Sequence, residues 1–139
     1  MNKAGIEKIL PHRPPMLLVD DAELTDDGGA VGHYTVRGDE FFLNGHFPGN
    51  PVVPGVMLCE MMAQTCAVML AGKADGKTPY FTSLDKVKFR NRVLPGDTIE
   101  FRCGITRDRP PFYFARGEGY VRGKLCVEGE FSFALMGGD

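Results

Sequence analysis

From Val56 to Ala71 the chain is apolar at almost every position, and Glu60 is the one ionisable carboxylate within the run. A segment apolar on all sides and broken by no proline reads as a helix buried in a core. Its end is expected at Gly72-Lys-Ala-Asp-Gly-Lys-Thr-Pro79, where glycine and lysine stand on the C-terminal side. Beyond it the pattern changes to strands at Tyr80–Phe89, Thr98–Thr106, Phe112–Val121 and Leu125–Leu135, with a turn at Val93–Asp97 and a tight hairpin turn at Arg122-Gly123. Before the helix, a short N-terminal helix is stopped by Pro11-His-Arg-Pro-Pro15. Met16–Asp20 and Ala30–Val36 are expected to pair as a hairpin across the Asp26–Gly29 turn, and Phe41 and Phe42 are expected to anchor in the core. The sum is α+β: one long central helix and an antiparallel sheet built mostly after it, curved enough to cover the helix.

Glu60 makes this layout informative. Burying an unpaired charge costs several kcal/mol. The carboxylate must find a partner, stay protonated through a raised pKa, or face a cavity where it does chemistry. The preceding loop, Asn44-Gly-His-Phe-Pro-Gly-Asn-Pro-Val-Val-Pro-Gly55, favours the last option. It is stiffened by proline, and it places His46, a side chain suited to proton transfer near neutrality, upstream of the carboxylate. Gln64, four residues after Glu60, shares its helix face. It can orient Glu60 or make a purely structural bond from helix to loop. Gly55 stands at the helix start, where free N–H groups and the dipole favour an oxyanion.

Bulk properties narrow the classes. The chain has 139 residues and a net charge of −2, so one domain over residues 1–139 is expected, and composition suggests neither disorder nor nucleic-acid binding. The N-terminus lacks the apolar core of a secretory signal, and the Val56–Ala71 run falls short of a bilayer span of about 20 residues. Cys59, Cys66, Cys103 and Cys126 form no CxxC pair, and reduced core packing is the favoured reading over two disulfides, in keeping with a cytoplasmic location. His12 reads as a capping or packing residue, and His33 as an exposed or sheet-face residue.

Several strings together carry a family resemblance. Leu10-Pro-His-Arg-Pro-Pro-Met-Leu-Leu-Val-Asp20, Asn44-Gly-His-Phe-Pro-Gly49, Pro54-Gly-Val-Met-Leu-Cys-Glu-Met-Met-Ala-Gln64, Leu84-Asp-Lys-Val-Lys-Phe-Arg90 and Leu94-Pro-Gly-Asp97 resemble, in order, the motifs of the FabZ-type 3-hydroxyacyl-[acyl-carrier-protein] dehydratases. The resemblance implies a hot-dog fold, a homodimer with a continuous sheet usually assembled as a trimer of dimers, and active sites shared between subunits. It implies dehydration of a (3R)-3-hydroxyacyl thioester to the trans-2-enoyl thioester in fatty acid biosynthesis, with His46 as base, Glu60 as acid and the Gly55 amide binding the thioester carbonyl. An apolar setting should raise the Glu60 pKa above its usual value of about 4.3 and keep a proton available. No metal or organic cofactor is implied, because the substrate arrives on the phosphopantetheine of acyl carrier protein.

Met57, Met61, Met62, Met69, Phe81 and Phe89 are candidates for the acyl tunnel, with Tyr80 as a gating aromatic, although each reads individually as core. Lys86, Lys88, Arg90 and Arg92 form a basic run that would dock the acidic carrier protein if alternate residues share a strand face; a solvated face is the competing reading. The rivals are a FabZ-like bifunctional dehydratase/isomerase, another hot-dog thioester enzyme such as a thioesterase, and an acyl-binding module. Glu60 argues against the FabA-type branch, which usually carries Asp there. Pro14, Pro15, Met16, Asn50, Cys59 and Thr65 depart from the commoner pattern and bear on chain-length preference and loop fit.

Overall fold

The computed structural model describes residues 1–44, 49–70 and 77–137. A short helix α1 (Lys3–Glu7) leads to strands β1 (Asp21–Leu24) and β2 (Ala30–Thr35), then to the central helix α2 (Gly55–Ala67). Strands β3 (Lys77–Phe89), β4 (Thr98–Arg109), β5 (Phe112–Val121) and β6 (Lys124–Gly137) follow. They form one six-stranded sheet in the order β1-β2-β4-β5-β6-β3, with every neighbouring pair antiparallel. This is the wrapped-helix layout that the apolar run and the resemblance both called for.

Strand alternation explains the packing. Ile99, Phe101 and Cys103 of β4 and Tyr113, Ala115 and Val121 of β5 point inward every second residue. They meet Leu58, Met61, Met62 and Cys66 of α2 in one core. Helix and sheet approach closely where side chains are absent: a Cβ on Gly117 would lie 2.6 Å from Met62 Cγ, and one on Gly32 would lie 2.8 Å from Thr65 Cγ2. A second core joins Ile6, Leu10, Leu17 and Val19 to Ala67 and Val68 at the far end of α2.

The Arg122-Gly123 turn occurs as expected, with both residues at positive φ (50° and 76°) and Val121 paired with Lys124. All four cysteines are free and buried.

Three local expectations are corrected. Met16–Asp20 is not a strand: Leu17, Leu18 and Val19 are buried in succession, which one-sided alternation cannot achieve, and the first strand begins at Asp21. The Met16 carbonyl and the Leu18 N–H are taken by the Gln64 side chain instead of a ladder. Phe42 is buried, but Phe41 is 49% exposed and meets Phe42 edge-on, so only one of the pair anchors in the core. The basic run does not keep strict alternation, because β3 has a register shift between Asp85 and Lys88 with Lys86 at φ 52°, and the strand ends at Phe89.

Candidate active site

Helix α2 begins at Gly55, immediately after Pro54, whose carbonyl accepts from the Met57 and Leu58 N–H groups. Further along, the helix presents Glu60, Ala63, Gln64 and Ala67 on one face, as the i, i+3, i+4, i+7 spacing requires. These four residues line a small cavity of about 50 Å³, closed by His12 and by Pro79, Phe81 and Phe133.

The side chain of Gln64 is fixed by three hydrogen bonds. Its Oε1 accepts from the Leu18 N–H at 2.8 Å, and its Nε2 donates to the Met16 carbonyl and to Glu60 Oε2, each at 2.8 Å. Gln64 therefore both orients Glu60 and ties the helix to the N-terminal segment. These are the contacts that both readings open from the sequence call for.

His12 is the second neighbour of Glu60. Its Nε2 lies 3.4 Å from Glu60 Oε2, and the two side chains are similarly shielded, 23% and 22% exposed. The expected capping or packing role for His12 gives way to a place in the site. No local signal announced this, because the contact joins residues 48 positions apart in the chain. Ala63 and Ala67 were legible in principle, since helical spacing from Glu60 puts them beside it.

The expected rise in the Glu60 pKa is also corrected. Burial raises it, but the His12 and Gln64 contacts outweigh burial and hold the carboxyl below its usual value. These contacts favour its ionised form.

Gly55 lies elsewhere. Together with Val52, Val56, Phe89, Arg90 and Arg92 it lines a groove of about 490 Å³ that shares none of the described residues with the Glu60 cavity. A Cβ on Gly55 would come within 2.7 Å of Phe89 Cε1, so the absent side chain here admits the Phe89 ring. His46 lies outside the described residues.

Of the tunnel candidates, Phe81 reaches the Glu60 cavity and Phe89 the Gly55 groove. Met61 and Met62 are fully buried core residues, Met57 and Met69 pack against that core, and Tyr80 is 57% exposed on β3. In the basic run, Lys86 faces Glu130 at 3.9 Å and Arg90 pairs with Glu128 at 3.0 Å. Lys88 and Arg92 are exposed and make no ion pair among the described residues. His33 is bonded through Nδ1 to Asp21 (2.7 Å) and through Nε2 to Glu100 (3.1 Å).

Known proteins place this arrangement in a family. The FabA-like domain matches residues 10–130. A 3-hydroxyacyl-[acyl-carrier-protein] dehydratase FabZ of Clostridium perfringens is 42% identical over 137 residues, covering 97% of this chain and 99% of the relative. One from Clostridium botulinum is 41% identical over 133 residues, covering 94% and 92%. Among solved structures, the dehydratase heterocomplex ApeI:P of Xenorhabdus doucetiae superimposes with a TM-score of 0.80 at 21% identity, covering 94% of this chain and 90% of that one. A hypothetical thioesterase from Streptococcus pneumoniae, solved with coenzyme A, reaches 0.62 at 12% identity, covering 84% and 87%, so these two neighbours speak for the fold alone. With its helix wrapped by an antiparallel sheet and full-length identity of about two residues in five, the chain belongs to the FabA-like family of hot-dog proteins, in its FabZ-type 3-hydroxyacyl-[acyl-carrier-protein] dehydratase branch.

Proposed function

We propose that this protein removes water from (3R)-3-hydroxyacyl thioesters held on acyl carrier protein, giving trans-2-enoyl thioesters in fatty acid biosynthesis. The observation that carries the mechanism is Glu60: a shielded carboxylate on an apolar helix, held at Oε2 by Gln64 and bordering a cavity. In dehydration His46 takes the C2 proton, the C2–H electron pair becomes the C2=C3 bond, and the C3–O bond breaks as Glu60 supplies a proton to the departing oxygen. The Gly55 N–H, at the positive end of α2, stabilises charge on the thioester oxygen. No metal or organic cofactor enters, since the thioester itself acidifies the C2 proton.

The preference of Glu60 for its ionised form fits this cycle. Before dehydration it must acquire a proton, and an acyl chain entering the cavity displaces water and strengthens the burial that favours the protonated form. In the reverse direction the ionised carboxylate is already the base that water needs as it adds to C3.

The separation of Gly55 from Glu60 supports a site shared between subunits. Five residues along a helix advance it about 7.5 Å, and the Gly55 N–H points along the axis toward the N-terminus, away from Glu60. The oxyanion donor and the acid of one chain therefore serve different sites, with His46 and Gly55 from one subunit meeting Glu60 of another. Strand β3 stands at the edge of the described sheet and exposes Tyr80, Phe81, Leu84 and Phe89, which suits continuation of the sheet into a second copy and assembly as a dimer or trimer of dimers. Arg92, which lines the Gly55 groove, and the exposed Lys88 are the members of the basic run with no ion pair among the described residues, and they suit the acidic carrier protein. A cytoplasmic location follows from that partnership.

The test is hydration of a trans-2-enoyl-carrier protein, followed by loss of the conjugated thioester's ultraviolet absorbance and by product mass. The native protein should form the 3-hydroxyacyl product and a folded Glu60→Gln variant should lose most turnover. Hydrolysis to a free acid, or no turnover at any chain length by folded protein, would move the assignment to a thioesterase or a binding role.

A further inference from the structure

Leu10–Leu18 contains no helix or strand, yet it is fastened at both ends. Arg13 secures the first end: its Nη1 donates to the carbonyls of Leu10 (2.9 Å) and His12 (2.7 Å), its Nη2 donates to that of Glu7 (3.1 Å), and its Nε lies 3.1 Å from Glu7 Oε1. The Arg13 carbonyl then accepts from the Met16 and Leu17 N–H groups, at 2.8 and 3.1 Å. Gln64 secures the second end through Met16 and Leu18. His12 lies between these anchors with its Nε2 against Glu60, while its Nδ1 is buried with no hydrogen-bond partner among the described residues.

The protonation pattern follows from these partners. A buried N–H lacking an acceptor is costly, so Nδ1 carries the lone pair and Nε2 carries the proton, directed at Glu60. The Gln64 amide has no freedom to flip either, because Leu18 offers it a donor and Met16 an acceptor. Two N–H groups thus converge on Glu60 Oε2, and Oε1 has no partner among the described residues.

We infer that His12 is a positioning residue of the active site: with Gln64 it tethers Oε2 of Glu60 and leaves Oε1 as the atom that exchanges a proton with the substrate's C3 oxygen. The inference rests on Glu60 being the acid of the proposed reaction. It gives the Pro11–Leu18 segment a purpose in the chemistry, since Arg13 and the Gln64 anchors hold the loop that aims His12.

Hydration kinetics across pH test it, with native protein, His12→Ala, His12→Gln and Glu60→Gln. The groups facing Glu60 are His12 and Gln64, with the adjacent Cys59 thiol pushed up by burial and by the Glu60 charge. Hydration needs Glu60 ionised, so its rate falls on the acid side as Glu60 takes up a proton. Removing His12 removes a contact that lowers the Glu60 pKa, and the acid limb should move to higher pH. His12→Ala should lower kcat roughly 10- to 100-fold with KM little changed, the scale expected when a reacting group loses its alignment. His12→Gln, which restores an N–H donor, should recover part of the rate and return the limb toward its native position.

A folded His12→Ala protein with native kcat and an unmoved acid limb would overturn the inference, as would a loss of rate that tracks thermal stability while the limb stays fixed. Nitrogen-15 shifts of His12 in the native protein, measured independently of any variant, should show the Nε2–H tautomer near neutrality; the Nδ1–H tautomer would also overturn it. Glu60→Gln separates the two levels. If it hydrates at the native rate, the acid role of Glu60 falls; if it is inactive while the His12 variants behave as native, only the role of His12 falls.

Discussion

Gln64 spends one amide on three jobs: it meets the Leu18 N–H, the Met16 carbonyl and the Glu60 carboxylate. It is 1% exposed, so its amide is withdrawn from bulk solvent. Gln64→Ala should therefore cost about 1–3 kcal/mol, the penalty for leaving a buried donor or acceptor bare, measurable by denaturant unfolding. It should also lower turnover by freeing the Glu60 carboxylate, and a variant of native stability would contradict the bonding described. The same contacts correct the expectation drawn from the apolar run alone. Burial by itself raises a carboxyl pKa, whereas two partners pointing N–H groups at the charged form lower it. No list of neighbours along the chain could supply His12, which arrives from an N-terminal loop.

At the scale of elements, β1, β2 and β4 are joined by a polar row across their outer face. Asp21 stands opposite His33 in the register, and His33 stands opposite Glu100, so one imidazole bridges three strands. Partial burial lowers the His33 pKa, but the bonds and charges of Asp21 and Glu100 outweigh it, and the net value lies above the usual one. A group whose pKa is raised by folding stabilises fully below its unfolded value of about 6.5 and loses that contribution as pH rises through the folded value. Stability should thus decline across the neutral-to-alkaline range more steeply in the native protein than in His33→Asn. Parallel stability curves for the two proteins would show that the row carries no proton linkage. Helix α2 makes the complementary point, for its apolar surround is satisfied by sheet on one side and by the Ile6–Leu17–Val19 cluster at its far end.

For the whole molecule, the disjoint Glu60 cavity and Gly55 groove are the main clue to assembly. If active sites are shared, mixing Glu60→Gln with His46→Ala under subunit exchange should restore activity, because some mixed dimers carry one site with both groups intact. Random exchange of equal amounts makes about half the dimers mixed, with one competent site of two, so recovery near a quarter of native activity is expected. Continued inactivity despite exchange shown by mass would place both groups in the same subunit's site.

How much of this was legible beforehand differs by region, and the differences have physical causes. The long helix, the later strands and the Arg122-Gly123 turn follow from local periodicity and turn chemistry, which a chain carries in its residue order. Glu60 and Gln64 share a face for the same reason. Met16–Asp20 was misread because its backbone groups bond to a side chain 46 and 48 residues away. Spacing from Glu60 puts Ala63 and Ala67 beside it, but which of the remaining apolar faces of α2 the sheet covers, as at Met61 and Met62, depends on contacts that only folding makes. The amino-acid sequence by itself determined the fold class, the family motifs and the candidate acid; the tertiary structure alone decided which partners reach that acid, and hence its charge, because pKa depends on groups that only folding brings together.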